Sequence, residues 1–432
     1  MENSINTKSL YRKRQIHIIL PVFFVSVIAF LDRVNVAYAG MTMTKDLPWL
    51  SPEIFGAGAG MFFLGYFFFE IPGALFAAKF DACKWIARIM FTWGLVCGLL
   101  AFVQSPTQFY IVRFLLGACE ASLYPVIYAV LYPRWFMANE RAAAISLMLT
   151  SLPVSNIIGA PLAGVLLEMH LFGLQGWQSL FVLEAIPAII FTFVFVFWVK
   201  DRPSKSQWLT DEEKVYMENA YKKEQDEIAN AKKYTIWQAL TDKTVWRLVI
   251  IYFFWATGFW GFSFWMPQVL KNLSGWSTSV VGFALVIPMI IALCGQLVWG
   301  ISSSRTGEKR WHVATAMFLG AIGLGGAPFI SSPLLSLVFV TFVAVGINAA
   351  MGVWWSVPTT FLSGAAAAGA TALINSLANL GGYFGPYMLG LVKTYTGTTD
   401  LGYFILSGGL CISALLMLTL KKTMPTDKNN IG

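Results

Sequence analysis

The stretch IHIILPVFFVSVIAFLDRVNVAYAG, residues 16–40, decides the structural class of this chain. Its apolar run is long enough to cross the hydrocarbon core of a bilayer as a helix, which takes about 20 residues. Near its end stand Asp32 and Arg33, and charged side chains inside a membrane are rare and usually functional. A cleaved signal peptide would have a shorter apolar run and a cleavage site of small residues. We therefore expect this stretch to remain as the first membrane-spanning helix.

Similar apolar runs recur along the whole chain. Of its 432 residues, 57% are hydrophobic and 12% are charged, whereas soluble domains carry about 25% charged residues. The runs are unbroken, which excludes the alternating strands of a membrane β-barrel. We predict an all-α membrane protein with twelve transmembrane helices, at residues 16–40, 55–79, 85–104, 108–132, 141–167, 178–199, 245–267, 279–301, 312–330, 334–360, 368–392 and 401–420.

The loops between these helices predict orientation and organisation. Basic residues cluster before the first predicted helix and after the second, fourth, eighth and twelfth. Because Lys and Arg are enriched in cytoplasmic loops, we expect both termini in the cytoplasm, with the chain in a bacterial inner membrane. This bias also explains the formal charge of +8, so no nucleic-acid partner is expected. The five cysteines show no disulfide or metal-ligand spacing.

One long polar stretch divides the chain into two sets of six helices. We predict an amino-terminal bundle at 1–199, a cytoplasmic central loop at 200–244 and a carboxy-terminal bundle at 245–432. A weak repeat of six plus six helices is typical of transporters that bind substrate between two bundles. No nucleophile–base arrangement, metal-ligand spacing or nucleotide loop is visible. The sequence therefore indicates a transporter and not an enzyme.

Charged residues in the amino-terminal half form the main candidate site. In RFLLGACEASLYP, Arg113 and Glu120 lie two helical turns apart on one face. Given the helix directions, Asp32 and Arg33 fall in about the same layer. One interpretation is a structural cluster of ion pairs, although buried ion pairs are weak stabilisers. The other is a coupling device, in which an anionic substrate occupies an arginine and the released acid binds a proton.

Further candidates are polar side chains on other helices. Glu70 and Glu184 are expected to have structural roles. In the carboxy-terminal half, Asn375, Asn379 and Tyr383 are spaced four residues apart and share a helix face. They can either hydrogen-bond the hydroxyls of a sugar acid or hold neighbouring helices together. The second half carries no comparable buried charge, so we expect it to recognise the rest of the substrate.

Several segments together resemble one known family: LDRVNVAYA, GYFFFEIPG, RFLLGACEASLYP, GLQGWQSLFVLEAIPA, DRPSKSQWLTDEEK and PTTFLSGAAAAGATALINSLANLGGYFGP. They are similar to the anion:cation symporters of the major facilitator superfamily, and most to the branch of phthalate, tartrate and sugar-acid permeases. The resemblance covers nearly the whole chain. It implies a major facilitator fold with two pseudo-symmetric six-helix bundles, active as a monomer. It also implies proton-coupled import of a small organic anion by alternating access, without a cofactor.

The resemblance assigns roles to the charged residues. Asp32 and Glu120 match the family's protonation sites. Arg33 matches its contact to the substrate carboxylate, and Arg113 matches the arginine that tunes the nearby acid.

The same resemblance implies substrate contacts at Tyr66 and Asn379, and gating loops after the second and eighth helices. For Tyr66, packing in the bundle is the alternative. The gating residues are expected to be Asp81, Lys84, Arg305 and Arg310. Two departures affect these loops: Ala78 and Asp81 stand where the family has an acid and then a glycine, and Ser304 stands in place of an aspartate.

Two other functions stay open at this point. A proton antiporter that exports an amphipathic drug or metabolite is favoured by the glycines and proline of SLPVSNIIGAPLAGVLL, residues 151–167, although symporters of the resembling branch also have them. A sensor that binds ligand on a transporter scaffold, without transport, is the third.

Overall fold

The computed structural model describes residues 6–230, 241–357 and 364–420. All regular structure in these ranges is helical. Eleven helical segments within them are long and apolar enough to cross a membrane. The predicted all-α, multi-pass membrane protein is confirmed. The chain divides into two compact units, Met1–Trp49 with Met61–Ala231 and Leu50–Gly60 with Lys232–Gly432.

The amino-terminal part of the chain forms six long helices and one polar helix after them. Shorter helical pieces precede, connect or extend these at Thr7–Arg14, Gln15–Ile19, Leu100–Phe102, Leu123–Val126, Ile127–Leu131, Tyr132–Trp135, Ala138–Leu149, Leu171–Gly173 and Pro203–Lys205. The main helices are α1 (Leu20–Asp46), α2 (Pro52–Lys79), α3 (Ala82–Leu99), α4 (Pro106–Glu120), α5 (Ser151–Leu166), α6 (Gly176–Trp198) and α7 (Asp211–Asn230).

Helix α4 is shorter than predicted, because the chain leaves the helix directly after Glu120. The helix begins with Ser105 as its N-cap and Pro106 at its first turn, both favourable there. Ala121 is extended, and Ser122 adopts a left-handed conformation with φ of 72°. Ser122 is the one non-glycine residue with positive φ in the described chain, and such a conformation costs about 1–3 kcal/mol. The predicted span at 108–132 is thus two helical pieces joined at Ser122.

Helices α2 and α4 pack backbone against backbone. A Cβ atom built on Gly117 would overlap the backbone of Phe62, and one on Gly65 would overlap the backbone of Phe114. Only glycine permits an approach this close. The contact brings the Tyr66 region of α2 against the Glu120 end of α4.

The second unit contains the remaining helices: α8 (Lys243–Ser274), α9 (Thr278–Ala284), α10 (Val286–Thr306), α11 (Arg310–Gly326), α12 (Pro333–Trp354), α13 (Gly364–Asn379), α14 (Gly381–Thr396) and α15 (Asp400–Leu418), with a short turn at Ala327–Phe329. The predicted span at 368–392 is divided between α13 and α14, each 16 residues long. They meet at Leu380, whose carbonyl accepts hydrogen bonds from the N–H groups of Tyr383 and Phe384. Leu380 itself keeps helical backbone angles, so the chain passes from α13 into α14 at this one residue.

Tryptophans form much of the core of the second unit. Trp255, Trp265 and Trp354 are each at most 1% exposed. The indole of Trp255 donates to the carbonyl of Ile347, at 3.1 Å, and that of Trp265 donates to the carbonyl of Pro386, at 3.0 Å. These two buried indoles thus combine large apolar contacts with a satisfied N–H group.

Candidate functional site

A buried ion pair lies at the centre of the first unit. The guanidinium of Arg33, on α1, donates to the carboxylate of Glu120, the last residue of α4. Arg33 is 9% exposed and Glu120 is 1% exposed. A charge-assisted bond between two such buried groups is strong, and removing one partner leaves the other charge stranded. The two residues are 87 positions apart, so folding alone brings them together.

Three aromatic rings surround the guanidinium of Arg33. Its central carbon lies 5.0 Å from the ring centre of Phe62, 5.3 Å from that of Tyr66 and 5.8 Å from that of Tyr124. Each distance is within the range of a cation–π contact. The rings hold the cation in place while leaving its hydrogen-bonding edge to the carboxylate. A second carboxylate could use the same planar edge, because guanidinium binds such groups with two parallel hydrogen bonds.

Tyr124 is a site residue that sequence analysis missed. Its hydroxyl lies 3.1 Å from the Ser26 hydroxyl, which accepts a hydrogen bond from Ser151 at 2.7 Å. On a continuous helix Tyr124 would lie one turn beyond Glu120, but the break at Ser122 lies between them. In the sequence, the one indication that Tyr124 belongs to the site is its position four residues after Glu120, an acid inside a membrane span.

Arg113 joins the same cluster from two turns earlier on α4. It is fully buried, and its guanidinium carbon lies 5.4 Å from the ring centre of Phe62. It interacts electrostatically with Glu120 and with Cys97 of α3. The structure thus brings Arg33, Arg113 and Glu120 together with Tyr66. The helix positions had placed the two arginines and Glu120 in one layer with Asp32.

Asp32 points into a different environment. It accepts a hydrogen bond from the indole of Trp93, at 2.8 Å, and one from the thiol of Cys97, at 3.6 Å. Among the described residues it forms no ion pair, although Arg33 is its neighbour in sequence. Adjacent helical residues face different directions, so one enters the cluster with Glu120 and the other faces α3.

The predicted polar residues of the second unit lie on either side of the turn at Leu380. The Asn379 amide donates to the Asn375 side chain, at 3.2 Å. Tyr383 lies on α14, and its ring centre lies 5.5 Å from that of Tyr387. The two asparagines form one polar pair, and the tyrosine is a separate feature.

The predicted gating loop after α2 is a network of charges. Asp81 caps α3 through the N–H groups of Cys83 and Lys84 and accepts from Lys205, at 3.1 Å. Burial raises the pKa of Asp81, but these hydrogen bonds and the Lys205 charge outweigh it and bring the pKa below its usual value. The side chain of Lys84 is exposed. Ala78 lies on α2, and its side chain is outside the described part of the chain.

Asp201 supports the same loop from the end of the first six helices. Its carboxylate pairs with Arg134 and accepts the N–H of Ala82 at the start of α3. Asp81, Cys83 and Asp201 lie close enough to bind a metal ion. Both carboxylates, however, already pair with the side chains of Lys205 and Arg134 and accept hydrogen bonds from backbone N–H groups. These contacts within the loop explain their positions.

The loop after α10 is held differently. Arg310 donates to the carbonyl of Leu420, at 2.7 Å, and lies 3.9 Å from Glu308. Arg305 and Ser304 are exposed. Arg310 therefore satisfies carbonyls beyond the end of α15, as cations commonly do at helix C-termini.

Comparison with known proteins agrees with this architecture. A family model described as Major Facilitator Superfamily matches residues 22–386 and 275–432. A protein of Agrobacterium vitis named a tartrate transporter is 44% identical over 96% of this chain and 92% of its own length. The Quinolone resistance transporter of Acinetobacter baumannii is 35% identical over 93% of this chain and 92% of its own length.

A solved structure shares the fold. The crystal structure of a D-xylose-proton symporter matches with a TM-score of 0.72 and 16% identity, covering 94% of this chain and 98% of that one. At this identity the match concerns the fold alone, which is the predicted major facilitator fold. The chain is a transport protein rather than an enzyme, and it belongs to the Major Facilitator Superfamily.

Proposed function

We propose that this protein is a secondary transporter that imports a small organic anion together with protons. The observation that supports it is the buried Arg33–Glu120 pair, with its cation enclosed by three aromatic rings. A relative at 44% identity carries the name of a tartrate transporter. We place the protein in a bacterial inner membrane, with both termini in the cytoplasm and the monomer as the active form.

In this proposal the substrate carboxylate competes with Glu120 for Arg33. When the substrate takes the planar edge of the guanidinium, the Glu120 carboxylate loses its cation inside a dry environment. An isolated buried carboxylate is costly and binds a proton instead. Substrate binding and proton binding therefore assist one another, which is what symport requires.

Other residues support this exchange in the proposal. Arg113 provides a second positive charge beside Glu120. Tyr66, whose ring lies against Arg33, is a proposed hydroxyl contact for a polar substrate. Asp32 is the second proposed protonation site. Asn375, Asn379 and Tyr383 are proposed contacts for substrate hydroxyls.

A second candidate function is proton-driven export of an amphipathic drug. The observation that favours it is the 35% identity to a protein named a quinolone resistance transporter. Under this alternative a cationic compound would compete with protons for the acids, and Arg33 would be dispensable.

Thermal stability of the purified protein separates the two. We expect tartrate or a related hydroxy acid to raise the melting temperature, since a ligand at 100 times its dissociation constant adds about 2.7 kcal/mol. Arg33→Ala should remove this effect. Arg33→Lys, which keeps the charge without the planar edge, should weaken it.

Arg202→Ala is the matched control, because Arg202 is exposed and far along the chain from the site. It should respond to tartrate as the wild type does. Stabilisation by cationic amphipathic drugs, with no response to tartrate or a related hydroxy acid, would replace import by export.

A further inference from the structure

Two cations on the exposed surface of the first unit lie apart from the buried Arg33–Glu120 pair. Lys84 and Arg88 are four residues apart on α3, so their side chains lie on one helix face. Both side chains are exposed. Two like charges at this spacing repel one another. An anion bound by both cations would remove that repulsion.

The described part of the chain supplies no such anion, since none of its carboxylates forms an ion pair with Lys84 or Arg88. Asp81 is the acid closest to them in sequence, but it pairs with Lys205, at 3.1 Å, and caps the start of α3. The side chain that interacts electrostatically with Arg88 is Cys119 of α4, a thiol and not a carboxylate. Both cations are thus available to a partner from outside the chain.

Arg88 lies within a membrane-spanning helix. It is six residues, or about 9 Å, beyond Ala82, the first residue of α3, and this helix belongs to one of the candidate spans. A cation that faces hydrocarbon is costly, and long basic side chains near the ends of such helices reach toward the polar interface. The phosphate groups of phospholipids lie in that interface.

The rest of the same helix face is apolar. At steps of three or four residues beyond Arg88, the exposed positions are Phe91, Leu95 and Leu99, with exposed fractions of 40%, 48% and 52%. These three residues form an apolar stripe that runs along α3 away from the two cations. The face thus changes from cationic to apolar in the same order as a phospholipid changes from headgroup to acyl chain.

Trp85 holds the guanidinium of Arg88 in place. The central carbon of the guanidinium lies 4.2 Å from the ring centre of Trp85, a cation–π contact with the aromatic residue that favours it most. The indole in turn stacks on two exposed rings, Phe76 at 6.4 Å and Phe80 at 6.2 Å between ring centres. A cation that is already held in position loses less conformational entropy when it binds a ligand.

We propose that Lys84 and Arg88 bind the phosphate of an anionic phospholipid, whose acyl chain lies along the apolar stripe of α3. A guanidinium can donate two parallel hydrogen bonds to a phosphate, and the lysine adds a point charge. The favoured headgroup carries no cation, because an ammonium group would meet two like charges while Asp81 is already paired with Lys205. Phosphatidylglycerol fits these requirements better than phosphatidylcholine. The site requires only that α3 lies in a bilayer, so it does not depend on the proposed substrate or on proton coupling.

Native mass spectrometry of the full-length protein, purified in detergent and titrated with phosphatidylglycerol, tests this site. We expect the wild type to bind phosphatidylglycerol more tightly than phosphatidylcholine. Arg88→Gln should weaken the binding of phosphatidylglycerol about tenfold or more, because charge-assisted hydrogen bonds are lost. Lys84→Gln should weaken it in the same direction. Both side chains are exposed, so the melting temperatures without lipid should equal that of the wild type.

Arg12→Gln is the matched control. Arg12 is an exposed arginine before the first span, and the chain reaches the start of α3 after two spans, on the same side of the membrane. This variant should bind phosphatidylglycerol as the wild type does. Equal weakening in Arg12→Gln and Arg88→Gln would show a response to surface charge in general and would overturn the site. Unchanged binding in Arg88→Gln would overturn it as well.

Competition separates a lipid from other occupants of this face. Inorganic phosphate in excess should not displace phosphatidylglycerol, because it has no acyl chain to contact the apolar stripe. Displacement would assign the two cations to a soluble anion. A dimer in the same spectra that disappears in Arg88→Gln would assign the face to a second copy of the chain. Either of these two results would overturn the lipid site.

Discussion

Arg33 and Asp32 show how two neighbouring residues acquire separate tasks. Arg33 meets Glu120 and three aromatic rings, whereas Asp32 meets Trp93 and Cys97. The sequence predicted that both are buried in the membrane, since two charges in an apolar run are conspicuous. Adjacent positions on a helix predicted that the two side chains point in different directions. The sequence did not predict their partners, because those of Asp32 lie more than 60 residues away.

Tyr124 illustrates a different limit of sequence-based prediction. Its hydroxyl bond to Ser26 depends on the close approach of α1 to the piece of helix after Ser122. Tyrosines are frequent in this chain, which has 15 of them. A residue type so common carries little signal until its neighbours are known.

Glu120→Gln is the prediction that belongs to the residue scale. Glutamine keeps the shape and a hydrogen-bond acceptor for Arg33 but cannot gain or release a proton. We expect exchange of tartrate across vesicles to continue and accumulation driven by an acidic exterior to disappear. Uptake of radiolabelled tartrate with and without a pH gradient measures this.

Glu168→Gln changes an exposed acid just after the end of α5 and is the matched control, with normal accumulation expected. Full accumulation by Glu120→Gln would show that its proton is not the coupled one.

At the scale of elements, the break in helix 4 is the main difference from the sequence prediction. Ala121 and Ser122 are neither glycine nor proline, so nothing in the local pattern indicates an interruption. The apolar run from 108 to 132 favours one helix, and local preference gives no reason to leave it. Surrounding contacts must hold Ser122 in its left-handed conformation, and such contacts cannot be read from one stretch of sequence.

The turn at Leu380 is easier to explain from sequence. Gly381 and Gly382 follow directly, and glycine weakens a helix interior. A Cβ on Gly381 would meet the carbonyl of Phe253 and the side chain of Thr257 on α8. The glycines that interrupt the helix are thus also those that allow α8 to approach.

Gly117→Ala tests the element packing that builds the site. Its methyl group would overlap the backbone of Phe62, so α2 and α4 must separate. Overpacking of this kind costs about 1–3 kcal/mol. It should also move Phe62 away from the guanidinium of Arg33. We expect a lower melting temperature and weaker binding of tartrate.

Gly408→Ala is the comparison, since a Cβ there meets nothing within 4 Å. It lies within α15, where alanine is favoured over glycine by about 0.5–1 kcal/mol. A melting temperature equal to or above wild type is expected. Equal effects of the two variants would contradict the packing account.

At the scale of the whole molecule, the polar segment after α6 is docked onto the first unit. Lys13 pairs with Glu213 of α7, at 2.9 Å, and Arg141 pairs with Glu224. Trp208 stacks between His17 and Trp135, with ring centres 4.4 and 5.1 Å away. Sequence analysis found the segment and its mixed charges. It could not find the docking, because its partners are spread over the first 141 residues.

This docking should weaken in acid. Burial raises the pKa of Glu213, but Lys13 and the Thr210 hydrogen bonds outweigh it and lower the pKa below its usual value. A lowered pKa in the folded state means that the ionised pair stabilises the protein above the usual carboxyl pKa, about 4.3. That contribution is lost as the pH falls through the lower folded value.

Glu213→Gln removes this dependence of stability on pH. Between neutral pH and about pH 3, the melting temperature of the wild type should fall more than that of the variant. The difference should correspond to no more than about 1 kcal/mol, since the pair is partly exposed. Asp226→Asn, which changes an exposed acid of the same helix, should fall as the wild type does.

The end of α4 at Glu120 has an electrostatic consequence for the cation beside it. Peptide dipoles aligned along a helix leave about half a negative charge at its C-terminus. The break at Ser122 places that partial charge next to Arg33, in the interior of the first unit, where a continuous helix would have carried it a further 15 residues away. When Glu120 becomes neutral, the last carbonyl groups of α4 remain as hydrogen-bond acceptors on this side of the break. Glu120 can thus lose its negative charge while acceptor groups remain at the end of the helix that carries it.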